Sequence, residues 1–306
     1  MKNVFLLGGG GFIGTNLARF LLENELNVTV YGRGNSKVFD GIHYIQGELS
    51  QQKDFEVLLM GQDAVIHLIS TVSPASSMSD FLAPYQVDVI KTIEILEACR
   101  KLDIKKVIFI SSGGTVYGTS KETKLIEESN TNPINNYGIA KLTIEKICLM
   151  YNEVYGMENV ILRVANPYGV GQDPAKKVGA ISVFYSNIIN KVPISIYGDG
   201  ETTRDYVEIS DVIRAIYQAL YYKVKKDCVP VFNIATGVGT SLNEIINEIQ
   251  SVLGERAIIN YIGERSIDVS HNVLDITKAQ RELGYEVYYN FANGLRKFID
   301  SSIGVT

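Results

Sequence analysis

The chain has 306 residues, 46% hydrophobic and 21% charged, which is typical of a globular protein and excludes disordered, collagen-like and disulfide-scaffold classes. A net charge of −5 without a long basic run argues against nucleic acid or an anionic membrane as a partner. Three scattered cysteines predict free thiols in a reducing compartment, and three isolated histidines predict no metal site. Since no apolar run approaches the about 18 residues of a membrane span, we expect a cytoplasmic enzyme of small metabolites.

Short β-branched runs alternate with amphipathic stretches in the first half of the chain. The runs predict strands at Val4–Leu7, Val28–Tyr31, Ala64–Leu68, Val107–Ser111 and Val160–Val164. The stretches predict helices at Thr15–Glu23, Asp54–Met60, Val87–Arg100 and Gly138–Tyr155. Apolar strands separated by helices indicate an α/β fold, a doubly wound parallel sheet of the Rossmann type.

The rhythm of strands and helices loosens after about Asn166. Helices are predicted at Ile181–Asn190, Asp211–Tyr221 and Ser241–Leu253, with a strand at Ile194–Tyr197. We therefore expect residues 1–165 to form the dinucleotide-binding domain. Residues 166–306 are expected to form mainly a smaller α+β substrate region, with some segments returning to the first domain.

A glycine-rich turn, GGGGFIG, occupies Gly8–Gly14 between the first strand and the first helix. Its spacing fits GxGxxG through Gly9, Gly11 and Gly14, and GxxGxxG through Gly8, Gly11 and Gly14. Such a turn lets the backbone approach a pyrophosphate, which the N–H groups at the helix start then bind. The alternative is a glycine-rich turn without a ligand.

The second predicted strand ends without the acid that binds the adenosine ribose of NAD in many dinucleotide sites. The residues there are Val30-Tyr31-Gly32-Arg33. Arg33 is placed to meet a 2′-phosphate, which favours NADP over NAD, although a surface arginine is the alternative. Glu48 is a candidate for the adenine amino group or a solvated loop acid.

A Tyr-x-x-x-Lys pair places both side chains on one face of a helix, where the ammonium favours the phenolate and lowers the tyrosine pKa. The spacing occurs four times, so position has to decide: Tyr117/Lys121, Tyr137/Lys141, Tyr221/Lys225 and Tyr222/Lys226. Tyr117 lies in a Gly/Thr/Ser stretch, and Tyr221 and Tyr222 lie at a helix end far from the cofactor half. Tyr137 opens the helix after the fifth strand, whose carboxyl end faces the nicotinamide in such sheets, so Tyr137/Lys141 is the predicted pair.

The glycine turn, the strand end SSGGTVYG at Ser111–Gly118 and Tyr137/Lys141 together resemble the extended short-chain dehydrogenase/reductases. Within these the chain resembles the NAD-dependent epimerase/dehydratase family, closest to its UDP-glucose 4-epimerase branch. The resemblance implies that Asn166 contacts a sugar nucleotide, that Arg204 and Arg265 hold its diphosphate, and that Asp268 holds its ribose. From the residues alone, both arginines could equally be surface ion-pair partners.

The predicted cofactor contacts combine the glycine turn, the neighbouring strand ends and the catalytic pair. They are Gly8, Gly11, Phe12, Ile13, Gly14, Arg33, Glu48, Leu49, Leu68, Ile69, Ser70, Tyr137 and Lys141.

Two further positions depart from the family pattern. Gly113 stands where many members carry a Ser or Thr that hydrogen-bonds the reacting sugar oxygen, so Ser112 or Thr115 would have to serve. Asp88 stands where the family usually has Asn.

The residues between Ser112 and Tyr117 include no carboxylate, which disfavours a 4,6-dehydratase, and no cysteine for 3,5-epimerisation. Hydride chemistry at one carbon remains. The leading hypothesis is a UDP-sugar 4-epimerase in which Tyr137 takes the C4 hydroxyl proton and a bound 4-keto sugar rotates before reduction. The alternatives are an NADPH-dependent 4-ketoreductase of a nucleotide-linked deoxysugar and a non-catalytic dinucleotide sensor.

Two helices, about Tyr85–Lys101 and Tyr137–Tyr155, carry more apolar residues than one face needs. These surplus residues are Ile93, Ile95, Leu96, Leu142, Ile144 and Ile147. They predict a homodimer through a helix bundle, as the family resemblance also implies. Helices fully buried in the monomer are the alternative.

Overall fold

The computed structural model describes residues 1–34, 41–74, 76–176, 179–263 and 270–303. Within these ranges seven parallel strands form the central sheet, in the order β10-β6-β5-β4-β1-β2-β3. They are β1 (Asn3–Leu7), β2 (Asn27–Gly32), β3 (His43–Gln46), β4 (Ala64–His67), β5 (Lys106–Ser112), β6 (Val160–Val164) and β10 (Val231–Ile234). The expected doubly wound parallel sheet is confirmed.

Helices cover this sheet and fill the second half of the chain. In the described ranges they are α1 (Phe12–Glu23), α2 (Phe55–Leu59), α3 (Ile90–Lys101), α4 (Asn136–Tyr155), α5 (Ala180–Ile189), α6 (Ile209–Tyr221), α7 (Leu242–Leu253), α8 (Thr277–Leu283) and α9 (Phe291–Ile303). A π-helical turn, Pro84–Val89, leads into α3. None of the described helices is long and apolar enough to cross a membrane.

Alternating side chains of the strands supply two separate cores, one on each face of the sheet. In β1, Val4 and Leu6 pack with α1 and α6, whereas Phe5 and Leu7 pack with α3 and α4. Burial on both faces is why the strands are almost continuously apolar. The five strands expected from the sequence are present, and β3 and β10 are additional.

The second half of the chain contributes a smaller layer beside the carboxyl edge of the sheet. Its strands are β7 (Asn166–Tyr168), β8 (Ile194–Tyr197), β9 (Thr203–Glu208), β11 (Gly239–Ser241), β12 (Ile259–Ile262) and β13 (His271–Asn272). β9 pairs with β7, β11 and β13, and β8 pairs with β12. A third core of α5, α7 and α9 side chains supports these strands.

Helix α4 begins after the central strand β5, and a side-chain cap fixes the position of its first turn. The Asn135 side chain accepts a hydrogen bond from the backbone N–H of Gly138 at 2.8 Å and so caps the first turn. The helix ends at Gly156, which is in the left-handed region at φ 64°. Tyr137 is thereby held in the first turn of a twenty-residue helix.

Candidate active site

The turn between β1 and α1 has the geometry of a pyrophosphate cradle. Gly8 has φ +87°, and a Cβ on Gly14 would come within 2.4 Å of Gly9 Cα, so helix and strand approach too closely for a side chain. Gly11 precedes α1 without any side-chain cap, which leaves the first-turn N–H groups of Phe12, Ile13 and Gly14 for an anion. The residues therefore fit a dinucleotide.

A cleft of about 610 Å³ opens from this turn along the carboxyl edge of the sheet. Eight of the residues predicted to bind the cofactor line it: Gly8, Gly11, Arg33, Glu48, Leu49, Leu68, Ile69 and Ser70. Sequence reasoning missed other lining residues, namely Gly10, Gly32, Gly34, Gly47, Ser50, Thr71, Val72, Asp80, Ala83 and Val87. Because the glycines among them have no side chain, the backbone itself forms the wall of the cleft at these positions.

The end of β2 presents a glycine and an arginine to this cleft, with no acid. Gly32 is buried, and a Cβ there would meet the hydroxyl of Tyr44 at 3.3 Å. Arg33 is exposed at the rim. This side of the cleft therefore carries the cationic side chain of Arg33 at its rim, next to the buried Gly32.

Tyr137 and Lys141 lie one turn apart at the start of α4, against the end of β5. The Lys141 ammonium donates to the carbonyl of Ile110 at 2.9 Å and lies 5.7 Å from the centre of the Tyr137 ring. Lys141 is buried, whereas Tyr137 is half-buried at the edge of a pocket. The predicted pair is therefore brought together.

The electrostatics of this pair differ from the sequence expectation. Burial and, to a smaller extent, the Asp88 carboxylate raise the pKa of Tyr137 to about 12, against a lowering by the Ser112 hydroxyl. Burial also lowers the pKa of Lys141 to about 8, opposed by Asp88 and Glu145. The expected lowering of the tyrosine pKa is thus wrong in this structure, because burial and a nearby carboxylate both disfavour the phenolate.

A second pocket of about 260 Å³ joins Tyr137 to the predicted sugar-binding residues. Ser112, Thr115, Tyr137, Asn166 and Arg204 all line it. The Thr115 hydroxyl is buried and has no hydrogen-bond partner among the described residues. Ser112 and Thr115, the two candidates for the hydroxyl that Gly113 lacks, therefore both line the pocket. Ser112 lies beside the phenol of Tyr137, and the Thr115 hydroxyl can still form a hydrogen bond.

A third pocket, of about 320 Å³, continues beyond Asn166 and Arg204 into the smaller layer. The Asn166 amide donates to the carbonyl of Asp205 at 2.9 Å, which fixes its orientation. Tyr168 and Gln172 also line this pocket, and sequence reasoning missed further wall residues, namely Ser195, Tyr197, Thr202, Tyr206 and Leu242. The alternation of side chains along a strand could have identified some of them. Ser195 and Tyr197 share one face of β8, and Arg204 and Tyr206 share one face of β9. Arg265 and Asp268 lie outside the described residues.

The other Tyr-x-x-x-Lys pairs lie elsewhere. Tyr117 is buried and donates to Asn233 at 2.6 Å. Tyr221, the last residue of α6, is exposed, and Tyr222 follows it. As expected, none of these three tyrosines lines the pocket that contains Tyr137.

Comparison with known proteins agrees with this geometry. The family model described as NAD dependent epimerase/dehydratase family matches residues 4–235. A putative UDP-glucose 4-epimerase of Methanocaldococcus jannaschii is 34% identical over 304 residues, 97% of each chain. A dTDP-4-dehydro-6-deoxyglucose reductase of Escherichia coli is 30% identical over 311 residues, 98% of this chain and 97% of the relative. The solved UDP-glucose 4-epimerase of Thermotoga maritima with UDP-glucose superposes with TM-score 0.93 at 30% identity, over 99% of both chains.

Fold, cleft and relatives define a nicotinamide-dependent enzyme of the epimerase or reductase type. The chain belongs to the NAD-dependent epimerase/dehydratase family.

Proposed function

We propose that the protein is a nucleotide-sugar 4-epimerase that works through a 4-keto intermediate. The observation that carries the proposal is a single pocket at which Tyr137, Ser112 and Thr115 meet Asn166 and Arg204, next to the glycine-lined cleft. Such a pocket can hold a sugar carbinol at the phenol and a diphosphate at the guanidinium.

Each residue then has a defined task in the proposed reaction. Tyr137 removes the proton of the C4 hydroxyl and later returns it, while Ser112 or Thr115 hydrogen-bonds the same oxygen. Lys141, fixed by the Ile110 carbonyl, binds the cofactor ribose and contributes positive charge. When bound, the oxidised nicotinamide supplies the hydride acceptor and a second positive charge. Burial raises the pKa of Tyr137 to about 12, so its phenolate requires positive charge nearby.

The remaining assignments divide the chain between the two ligands. Residues 1–165 would bind the dinucleotide, through the glycine turn and the cleft residues given above. Residues 166–306 would bind most of the nucleotide sugar, with Asn166 and Arg204 joined by Arg265 and Asp268.

The test is incubation of the purified protein with UDP-glucose and no added cofactor, followed by separation of UDP-glucose and UDP-galactose. An epimerase regenerates its cofactor in each cycle, so we expect interconversion in both directions. Mass spectrometry of the molecules released on denaturation should show a tightly held nicotinamide dinucleotide. No interconversion of this or other UDP-hexoses would contradict the proposal.

An NADPH-dependent 4-ketoreductase is the second candidate, and two observations favour it. Gly32 and Arg33 stand at the end of β2 without an acid, and a relative of nearly the same length is named a dTDP-4-dehydro-6-deoxyglucose reductase. A reductase would use Tyr137 to protonate the C4 oxygen. Stoichiometric loss of NADPH absorbance with a nucleotide-linked 4-keto-6-deoxy sugar would favour it over the epimerase.

Arg33 gives the prediction on cofactor choice. We expect NADP to bind more tightly than NAD, and Arg33→Ala to weaken NADP about tenfold by removing one charge-assisted contact to the 2′-phosphate. Binding of NAD, measured by calorimetry, should change less than about twofold. Arg19→Ala, which removes an exposed arginine of α1 that does not line the cleft, is the control. Equal dissociation constants for the two cofactors in the unaltered protein would overturn this preference.

We also propose that the protein forms a homodimer through the outer faces of α3 and α4. Of the six surplus apolar residues, Ile95, Leu96 and Ile144 are buried, Leu142 and Ile147 pack against the cores, and Ile93 is exposed. For the five packed residues that part of the prediction was wrong, because the cores on the two faces of the sheet contain or contact them. Other apolar residues of these helices are exposed instead: Ile90, Ile139, Met150, Val154 and Tyr155.

Val154→Glu is expected to yield monomers, because a carboxylate would be desolvated in an apolar interface. Light scattering at micromolar concentration measures the outcome. Val229→Glu, which alters an exposed valine away from α3 and α4, should leave the dimer intact. A monomeric unaltered protein would refute the proposed dimer.

A further inference from the structure

The hydroxyl of Tyr44 lies behind the turn that follows β2. Tyr44 is a residue of β3 and pairs with Val30 of β2, so its side chain is on the face of the sheet that α1 covers. Its ring packs against the core on that face, and its hydroxyl oxygen is buried. Gly32, two residues after Val30, belongs to the same face. Tyr44 therefore shares a face with the position at which many NAD sites carry their ribose-binding acid.

Three glycines of the cofactor cleft surround this one hydroxyl. A Cβ built on Gly32 or on Gly34 would lie 3.3 Å from Tyr44 Oη, and a Cβ on Gly10 would lie 3.7 Å from it. The three glycines line the cleft together with Arg33. At this corner the wall of the cleft is thus glycine backbone, with the Tyr44 hydroxyl directly behind it.

The hydroxyl occupies space that an acidic side chain at position 32 would need. A separation of 3.3 Å is tighter than most contacts that a Cβ atom makes, so Tyr44 would have to shift before a side chain could extend from this position. The missing acid and the hydroxyl of Tyr44 therefore belong to one arrangement, in which β3 fills the place that β2 leaves empty.

The phenol of Tyr44 also differs from an acid in charge. Burial raises its pKa, opposed by a hydrogen bond that the Gly34 backbone N–H donates, so the group is neutral at neutral pH. A carboxylate at this corner would repel the 2′-phosphate of NADP, whereas a neutral hydroxyl does not. Since Gly34 directly follows Arg33, the same hydrogen bond supports the turn that carries the cation at the rim.

We propose that Tyr44 is a specificity-determining residue of the cofactor site. Its hydroxyl takes the place of the ribose-binding acid and holds the turn of Gly32, Arg33 and Gly34, so that the guanidinium meets the 2′-phosphate of a phosphorylated dinucleotide. Tyr44 acts through this turn and is a positioning residue. The inference rests on the proposed function only for a dinucleotide in the cleft, and it applies to an epimerase and to a reductase alike.

Exchange of the bound dinucleotide is the first test. The purified protein is equilibrated with saturating, equimolar NAD and NADP, and the two dinucleotides that it retains are released by denaturation and quantified by mass spectrometry. Tyr44→Phe removes the hydroxyl and keeps the ring. Whichever cofactor the unaltered protein prefers, we expect this variant to lower the bound ratio of NADP to NAD about three- to tenfold, the effect of one hydrogen bond.

Tyr217→Phe is the matched control, because Tyr217 is a half-buried tyrosine that packs against the same core, beside Phe20 of α1. Its variant should retain the ratio of the unaltered protein. An unchanged or higher ratio in Tyr44→Phe overturns the proposal, since a hydroxyl with a merely structural role would affect both dinucleotides equally.

Two double-mutant cycles test whether Tyr44 acts at position 32 and through Arg33. Gly32→Asp should move the ratio toward NAD, by a factor at least about threefold larger when Tyr44→Phe has first removed the hydroxyl. Arg33→Ala, at an exposed residue, covers the case in which Gly32→Asp does not fold: it should lower the ratio less in Tyr44→Phe than in the unaltered protein. Independent effects in either cycle overturn the inference. Absent turnover of sugar nucleotides contradicts only the proposed function, because these ratios are measured without turnover.

Discussion

Tyr137→Phe is expected to lower kcat by about 10²–10⁴-fold while leaving dinucleotide binding within about twofold. The substitution removes the hydroxyl that exchanges a proton with the sugar in the proposed reaction and keeps the ring that lines the pocket. The loss should fall on kcat, because the aromatic contacts that bind the ground state remain. Initial rates of sugar interconversion and the nicotinamide content of the purified variant measure the two effects.

Tyr221→Phe is the matched control, because Tyr221 and Lys225 have the same spacing. Tyr221 is exposed at the end of α6, so its variant should keep the rate of the unaltered protein. If Tyr137→Phe turned over as fast as this control, Tyr137 would be removed from the mechanism. Retained dinucleotide with no activity in the unaltered protein would instead favour the sensor alternative.

Arg163→Met is expected to destabilise the protein by about 3–5 kcal/mol. Arg163 is 4% exposed and donates to both Glu145 oxygens, with a shortest distance of 2.8 Å. Its guanidinium also donates to the Tyr117 hydroxyl at 2.9 Å and to the Glu127 carbonyl at 3.0 Å. Methionine fills similar space but leaves the Glu145 carboxylate buried without its cation, and an unpaired buried charge is costly. Urea unfolding gives the difference in free energy.

Arg100→Met tests the same chemistry at the surface. Arg100 pairs with Glu97 at 2.8 Å, but both side chains are more than a third exposed. Solvent screens such a pair, so its loss should destabilise the protein far less than loss of the Arg163 pair. Equal losses for the two variants would show that burial does not decide the value of the Arg163 pair.

The sequence patterns that gave correct predictions were those in which a residue type serves a single structural purpose in its own segment. The strands β1, β4, β5 and β6 could be identified because a strand that is buried on both faces requires apolar side chains at nearly every position. The Gly8–Gly14 turn was identified because a close approach of helix to strand admits only glycine. The strand β3 was missed, since its residues are only partly buried and carry little apolar signal.

Predictions that depended on distant neighbours failed or stayed open. Counting apolar residues could not show that Ile95 and Ile144 serve the core under the sheet while Ile139 and Val154 face outward. The pKa of Tyr137 could not be derived from its spacing to Lys141, since Asp88 lies forty-nine positions earlier in the chain and burial is a property of the whole site.

The sequence by itself determined the order of the main strands and helices, the glycine turn and the position of Tyr137 and Lys141 at the start of one helix. These are short-range features, fixed by periodicity, steric limits and position along the chain. Only the tertiary structure decided which hydroxyls face the pocket, where the walls beyond Arg204 lie and which charges act on the phenol. Those features depend on distances between strands far apart in sequence, and both burial and Coulomb interactions follow distance in space.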